Sequence, residues 1–260
     1  MITLSSDFGS PYPAAMKGVV LQRTDARLVD VSHAFPRQDV RAAAFWLREI
    51  LPYFPPAAHL VVVDPGVGTD RAAIAVEAGE HVLVGPDNGV LLPAAKELAT
   101  GATNDAIRVH EIGYENAESS TFHGRDVFAP AAAAVHESWD ADRTVPEAVD
   151  GLGDVTPTGE FVDFELPEPT IEDDAVRGEV LVVDDFGNAI TNVPGYVLEG
   201  LDEVRVDGRT VPAVETFAEV PEGQWLATVG SHGNVELDVN RGRGDEAFGV
   251  EPGDSVRLEL

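Results

Sequence analysis

The spacing of apolar residues changes once along this chain, and that change constrains the fold more than any other feature. Through residue 164, short strand-like runs alternate with segments of helical period. Ile2 to Leu4, Leu28 to Val31, Val61 to Val63, Ala72 to Val76 and His81 to Val84 are the strand-like runs. Pro13 to Arg23, Gln38 to Leu51, Val90 to Leu98 and Val127 to Val135 carry helical spacing. Such alternation predicts a mainly parallel, Rossmann-like sheet with crossover helices. Residues 165–178 hold Pro167-Glu168-Pro169 and Glu172-Asp173-Asp174, a polar, proline-broken stretch that reads as a linker. From Glu179 onward only short alternating runs occur, including Val180 to Val183, Val204 to Val206, Trp225 to Val229, Val235 to Val239 and Ser255 to Leu260. They predict a smaller all-β, barrel-like domain over residues 179–260. With 260 residues and an apolar fraction of 44%, both parts can fill a core.

Polar loops sit at the ends of these strands. The central one is Val61 to Arg71, VVVDPGVGTDR, where a buried run ends in Asp64. Open α/β sheets bind ligands at the carboxyl ends of their strands, which singles out Asp64, and Arg71 is the nearest cation. Taken alone, Asp-Pro-Gly is better read as turn chemistry, with Asp bonding its own backbone and Gly supplying positive φ. The same placement recurs in Ser6-Asp7-Phe8-Gly9, in Gly85-Pro86-Asp87-Asn88-Gly89 and in His123-Gly124-Arg125-Asp126, which opens an alanine-rich helix. Two more loops stand out in the second half, Asp184-Asp185-Phe186-Gly187-Asn188 and Gly230-Ser231-His232-Gly233-Asn234.

Composition excludes several classes. Acidic residues number 46 against 17 basic ones, a formal charge of -29, and Lys17 and Lys96 are the only lysines. So acidic a chain reads as adapted to molar salt, where ions screen its self-repulsion. It has no basic stripe for nucleic acid. There is no cysteine, which removes thiol catalysis and thiolate metal sites. The histidines show no HExxH spacing, so no metal is expected; His33, His59, His81, His110 and His136 read as surface or packing residues. No GxGxxG, P-loop or GxSxG pattern occurs. Met1 runs straight into ITLSSDFG without a signal-like segment, and no run reaches membrane-spanning length. A cytoplasmic enzyme or binding protein is the expectation, with a small-molecule substrate, no nucleic acid and no membrane.

The motifs SDFG (Ser6 to Gly9), VDPGVGT (Val63 to Thr69), GPDNG (Gly85 to Gly89), TFHGRD (Thr121 to Asp126), DDFGNAITN (Asp184 to Asn192) and VELDVNRG (Val235 to Gly242) closely resemble the S-adenosylmethionine hydroxide adenosyltransferases, relatives of the adenosyl fluorinases and chlorinases. The likeness runs nearly end to end. It implies attack of water at the ribose 5′ carbon of S-adenosylmethionine, giving adenosine and L-methionine, with no cofactor. The family's water-activating triad falls on Asp64, Arg71 and His123. Arg71 cannot accept a proton near neutral pH, which leaves it to orient Asp64 or stabilise hydroxide-like charge; neutral His123 is the better candidate base. A carboxylate against sulfur would favour the ground state, so Asp64 is expected to face the water.

The likeness also implies substrate contacts. Asp7 meets the ribose diol, with Phe8 and Asn88 in the adjoining motifs; Asp184 meets the methionine ammonium, Phe186 stacks on adenine, Asn188 reads its edge, and Ser231 holds the carboxylate. Asp184 and Asn188 equally suit a plain hairpin turn. Two departures from the family pattern stand out: SPYPAA after Gly9 is about two residues short and lacks an acidic residue, and Arg243-Gly244-Asp245 replaces a usual Asn-Ala-Ala. The family assembles as trimers with the active site at the subunit interface, which implies a homotrimer here. A halogenase of the chlorinase type is the nearest alternative, disfavoured because those enzymes carry tyrosine where this chain has Asp64. A non-catalytic protein that binds S-adenosylmethionine or adenosine is the other.

Overall fold

In the computed structural model, which describes residues 1–100, 107–114, 121–139, 149 and 152–260, the chain divides into two compact units, Met1–Glu165 and Leu166–Leu260. The first is built on a seven-stranded sheet. Strand β1 (Ile2–Ser6) lies between β2 (Leu28–Ser32) and β3 (Ala58–Val62), parallel to both, and β5 (His81–Pro86) continues the parallel set beyond β3. Then β4 (Ala73–Ala78), β6 (Arg108–Ile112) and β7 (Val155–Pro157) extend the sheet antiparallel, in the order β2-β1-β3-β5-β4-β6-β7. The antiparallel turn has a local cause. Only Gly79-Glu80 separates β4 from β5, with Gly79 at φ 58, and a two-residue loop can join strands only as a hairpin.

Period-two alternation gives the sheet two apolar faces. Ile2, Leu4, Leu60, Val62, Val82 and Val84 pack on one side against helices α1 (Tyr12–Leu21) and α4 (Ala129–Ser138). Val61, Val63, Ile74, Val76 and Leu83 pack on the other against α2 (Val40–Ile50) and α3 (Leu92–Ala99). Helices α1, α3 and α4 each carry proline in the first turn, where no intrahelical N–H is lost. Asp39 caps α2 by accepting from the Ala42 N–H at 2.9 Å. The chain leaves β1 for β2 on one side and returns to β3 on the other. The carboxyl ends of β1 and β3 therefore flank a topological switch point.

The second unit is an all-antiparallel sheet in the order β12-β11-β15-β9-β10-β14-β13, with β8 (Thr170–Ile171) paired to β9 (Ala175–Val183). The other strands are β10 (Ala189–Pro194), β11 (Glu203–Val206), β12 (Arg209–Pro212), β13 (Trp225–Val229), β14 (Asn234–Val239) and β15 (Ser255–Glu259). An isolated bridge between Ala213 and Ala227 brings the far edges together, leaving a nearly closed barrel around Val180, Val204, Val235, Leu237 and Leu258. The stretch expected as linker is partly strand: it contains β8 and the first four residues of β9. Glu172-Asp173-Asp174 forms their turn, closed by the Glu172 N–H bond to Ala175 O at 2.8 Å, and Ala175 and Val176 are fully buried.

Candidate functional site

Asp7 follows β1 and Asp64 follows β3, so both carboxylates stand at the switch point. Between them lies a cavity of about 80 Å³ lined by Asp7, Phe8, Asp64, Phe122, His123 and their neighbours. Behind it Arg71, just before β4, donates from Nη2 to Asp64 Oδ2 at 2.6 Å and lies 3.3 Å from His123 Nδ1. Its Nη1 donates to Ala72 O, and its guanidinium stands over the Phe128 ring at 5.1 Å. These contacts fix the fork from several sides. The Asp64 and Arg71 side chains are only 5% and 9% exposed, so each charge depends on the other.

Two details set the electrostatics. Burial lifts the Asp64 carboxyl above the ordinary aspartate range, opposed by the positive charge of Arg71. Asp64 Oδ1 is buried and has no hydrogen-bond partner, so an acceptor site remains open on the residue that lines the cavity. His123 enters from the chain segment before a π-helical turn, Gly124–Phe128, that runs into α4. His123 is 5% exposed, and its ring is edge-on to Tyr114 at 5.6 Å.

Other expected residues have more local partners. Asp7 Oδ2 accepts from the Gln38 N–H at 2.6 Å, tying the loop after β2 to the end of β1. Asn88 turns toward the backbone: Nδ2 donates to Val63 O at 2.9 Å and Oδ1 accepts from the Val90 N–H, which buttresses the residue before Asp64. Gly85 lets β5 approach closely here, since a Cβ would fall 2.6 Å from Val61 O. His33, read as a surface or packing residue, bonds Ser6 Oγ at 2.7 Å and Asp30 Oδ1 at 3.1 Å. Sequence spacing gave no signal for that link.

In the second unit, Asp184 closes its own loop. Its Oδ1 accepts from the N–H groups of Phe186 and Asn188, both at 2.9 Å, and Oδ2 accepts from Asn188 Nδ2 at 3.1 Å. The hairpin-turn chemistry is thus present. Phe186 projects from this loop, 79% exposed. Ser231 is exposed on the β13–β14 loop, at the other end of β10, where Gly195 N–H meets Gly233 O. Asp184, Phe186 and Asn188 are therefore grouped, and Ser231 stands apart from them. Among the described residues, no cluster of three or more His, Cys, Asp or Glu side chains is placed to hold a metal ion, and no helix is long and apolar enough to cross a membrane.

Comparison with known proteins gives this arrangement a context. The profile of the SAM hydroxide adenosyltransferase N-terminal domain matches residues 2–144, and that of the C-terminal domain matches residues 178–257. An (R)-S-adenosyl-L-methionine hydrolase of Salinispora tropica is 40% identical over 99% of this chain and 97% of its own. One from Thermus thermophilus is 43% identical over 97% of each. Among crystal structures, a conserved protein from Thermotoga maritima aligns with TM-score 0.81 at 32% identity over 100% of both chains. A Thermus thermophilus structure aligns with TM-score 0.76 at 40% identity over 99% of this chain and 98% of that one.

Proposed function

The chain belongs to the SAM hydroxide adenosyltransferase family, and on that premise we propose that it hydrolyses S-adenosyl-L-methionine to adenosine and L-methionine. The observation that carries the reading is the buried Asp64–Arg71–His123 chain beside a small cavity at the switch point. Water oxygen bonds to the ribose 5′ carbon while the carbon–sulfur bond breaks, its electron pair passing to sulfur. The sulfonium becomes a neutral thioether, and the water's proton must leave. Little more is asked of the protein than to hold water in line and accept that proton.

The contact between Arg71 and His123 bears on which group accepts it. A guanidinium only donates, so His123 Nδ1 must be the acceptor and the ring proton sits on Nε2. In that state His123 is a neutral hydrogen-bond donor, suited to orienting water or substrate. The unpartnered Asp64 Oδ1 is the acceptor left for the water's proton, and burial makes its carboxyl more basic. The base is therefore read as Asp64, in place of the His123 expected from sequence. Asp7 suits the ribose diol through its second oxygen, and exposed Phe186 suits a base-stacking surface. We further take the working form to be a cytoplasmic homotrimer adapted to high salt, in which neighbouring copies complete each other's sites.

The test is to incubate purified protein with S-adenosyl-L-methionine in molar potassium chloride and identify the nucleoside by mass spectrometry. Adenosine is expected from the wild type. Asp64→Asn is expected to lower turnover on the order of 10² to 10⁴ fold, with a smaller loss for His123→Gln, which keeps a donor. 5′-Chloro-5′-deoxyadenosine as the product would make the protein a halogenase, and binding without product would make it a sensor. An active monomer in sedimentation with assay would remove the trimer.

A further inference from the structure

The hydrolase reading leaves unexplained a buried polar row on strand β14 of the second unit. Val235 and Leu237 point into the barrel core, so Glu236 and Asp238 share the opposite face. That face is covered too: Glu236 is 8% exposed and Asp238 is wholly buried. The row runs between two loops. At one end His232 Nδ1 accepts from the Asn234 N–H at 3.2 Å, which puts the ring proton on Nε2, 2.9 Å from Glu236 Oε1. Gly230 is needed for this pairing, because a Cβ there would fall 2.2 Å from Glu236 Oε1 and 2.6 Å from the imidazole. At the other end the β10/β14 register sets Ala189 opposite Leu237, so Asp238 stands level with Asn188 in the Asp184 loop.

No hydrogen-bond donor reaches either oxygen of Asp238, and the one polar side chain against its carboxyl is another carboxyl, Glu236, with which it can pair only by holding a proton. An ionised carboxylate cannot be held so without compensation. The charged and titratable groups near it are Glu236 on its own strand, whose other neighbour is His232, Asp184 in the β9–β10 loop, and Arg243 before the helix Gly244–Phe248, whose Gly244 lies against the Asp238 backbone. Arg243 spends its guanidinium on Asp245, at 3.1 and 2.7 Å. The residues opposite on β13, Leu226 and Thr228, carry no charge. Two carboxyl groups thus face Asp238 with no cation committed to it.

Building on the hydrolase reading, we infer that Asp238 is a positioning residue that carries a proton in the empty protein and releases it when a cationic ligand group, an ammonium or sulfonium, docks at the Asp184 loop. A positive charge beside Asp184 offsets the repulsion that keeps Asp238 neutral. Burial first, the charges of Glu236 and Asp184 next, and the contact with the Glu236 carboxyl all push its carboxyl up, to about 8, and so favour the protonated form. Binding and deprotonation are then linked, and each strengthens the other.

The experiment is calorimetric titration with sinefungin, a non-reacting amine analogue of S-adenosyl-L-methionine, in buffers of different ionisation heat at pH 7. The wild type is expected to release about one proton per ligand bound, and affinity to rise up to about tenfold per pH unit below pH 8. Asp238→Asn is expected to bind without release and with a flat profile. Glu236→Gln, which removes one repelling charge and keeps a side chain of the same shape, is expected to show reduced release. Binding without proton release by the wild type, or equal release by Asp238→Asn, would overturn the role of Asp238 alone. Failure of sinefungin to bind would overturn the hydrolase reading on which it rests.

Discussion

At the scale of single residues, Arg71 has the most demanding position. One Nη2 group serves both Asp64 and His123, and the guanidinium plane is fixed by Ala72 O and the Phe128 ring. Lysine keeps the charge but offers a point donor that cannot reproduce a planar fork. Arg71→Lys is therefore expected to fold, because Asp64 still has a cation, and to lose turnover on the order of 10² fold from misplacement. The acid limb of its rate profile should move as well. On the proposed role Asp64 acts as base only when ionised, so wild-type turnover is expected to rise with pH through a midpoint above the ordinary aspartate value. A rate profile for Arg71→Lys identical to the wild type would show that the fork does not tune Asp64. The residues of this chain were legible in sequence as a set only through the resemblance to the adenosyltransferases, since Asp64 taken alone reads as turn chemistry and nothing in the spacing ties His123 to it. Their roles were not. Which nitrogen of His123 faces Arg71, and which oxygen of Asp64 stays unpartnered, depend on packing between segments far apart in the chain. Asp238 was hidden for a related reason: the alternation of Val235 to Val239 reads as one solvated face, and only the fold shows that face covered.

At the scale of elements, the sheet is cross-linked at the end opposite the candidate site. Thr3 on β1 bonds His59 Nδ1 on β3 at 2.7 Å, and His59 Nε2 bonds His81 Nδ1 on β5 at 2.9 Å, with the two imidazoles stacked at 5.1 Å. Neutral rings can share hydrogen bonds in this way, whereas two cations there would repel. Burial pulls His59 down to about 3 from 6.5, and His81 moves the same way. Below 6.5 the unfolded chain binds protons that the folded chain refuses. The stability from this chain is complete above 6.5 and is lost as pH falls toward 3. In urea unfolding, His59→Gln is expected to lose less stability than wild type between pH 7 and pH 5, although it starts lower; parallel losses would disprove the linkage. Helix-and-strand alternation announced this half of the sheet. The antiparallel half was harder to see, because β6 reads Arg-Val-His-Glu-Ile, and its three polar residues, two of which face Glu77 on β4, mask the buried Val109 and Ile112. Strands β10 and β12 were obscured likewise, by Thr191-Asn192 and by the brevity of Arg209–Pro212.

At the scale of the whole molecule, charge dominates. A net charge of -29 on 260 residues means that most carboxylates have no cation to pair with. Several cations are already committed: Lys96 to Asp163 and Glu165, Arg243 to Asp245 and Glu246, Arg71 to Asp64. The remaining acidic surface repels itself over a distance set by salt, about 10 Å at 0.1 M and 3 Å at 1 M. Unfolding moves those charges apart, so repulsion lowers stability at low salt and fades as salt rises. If the repulsion costs a few kcal/mol, and one kcal/mol moves the melting point by about 2–4 °C for a chain this size, the melting point should climb on the order of 10 °C between 0.1 and 1 M potassium chloride. Screening does not distinguish ions of the same charge. Sodium and potassium chloride are therefore expected to give superimposable curves. A gain with potassium alone would replace diffuse screening by discrete ion binding, and a melting point flat in both salts would mean that the acidic surface is not a salt adaptation at all.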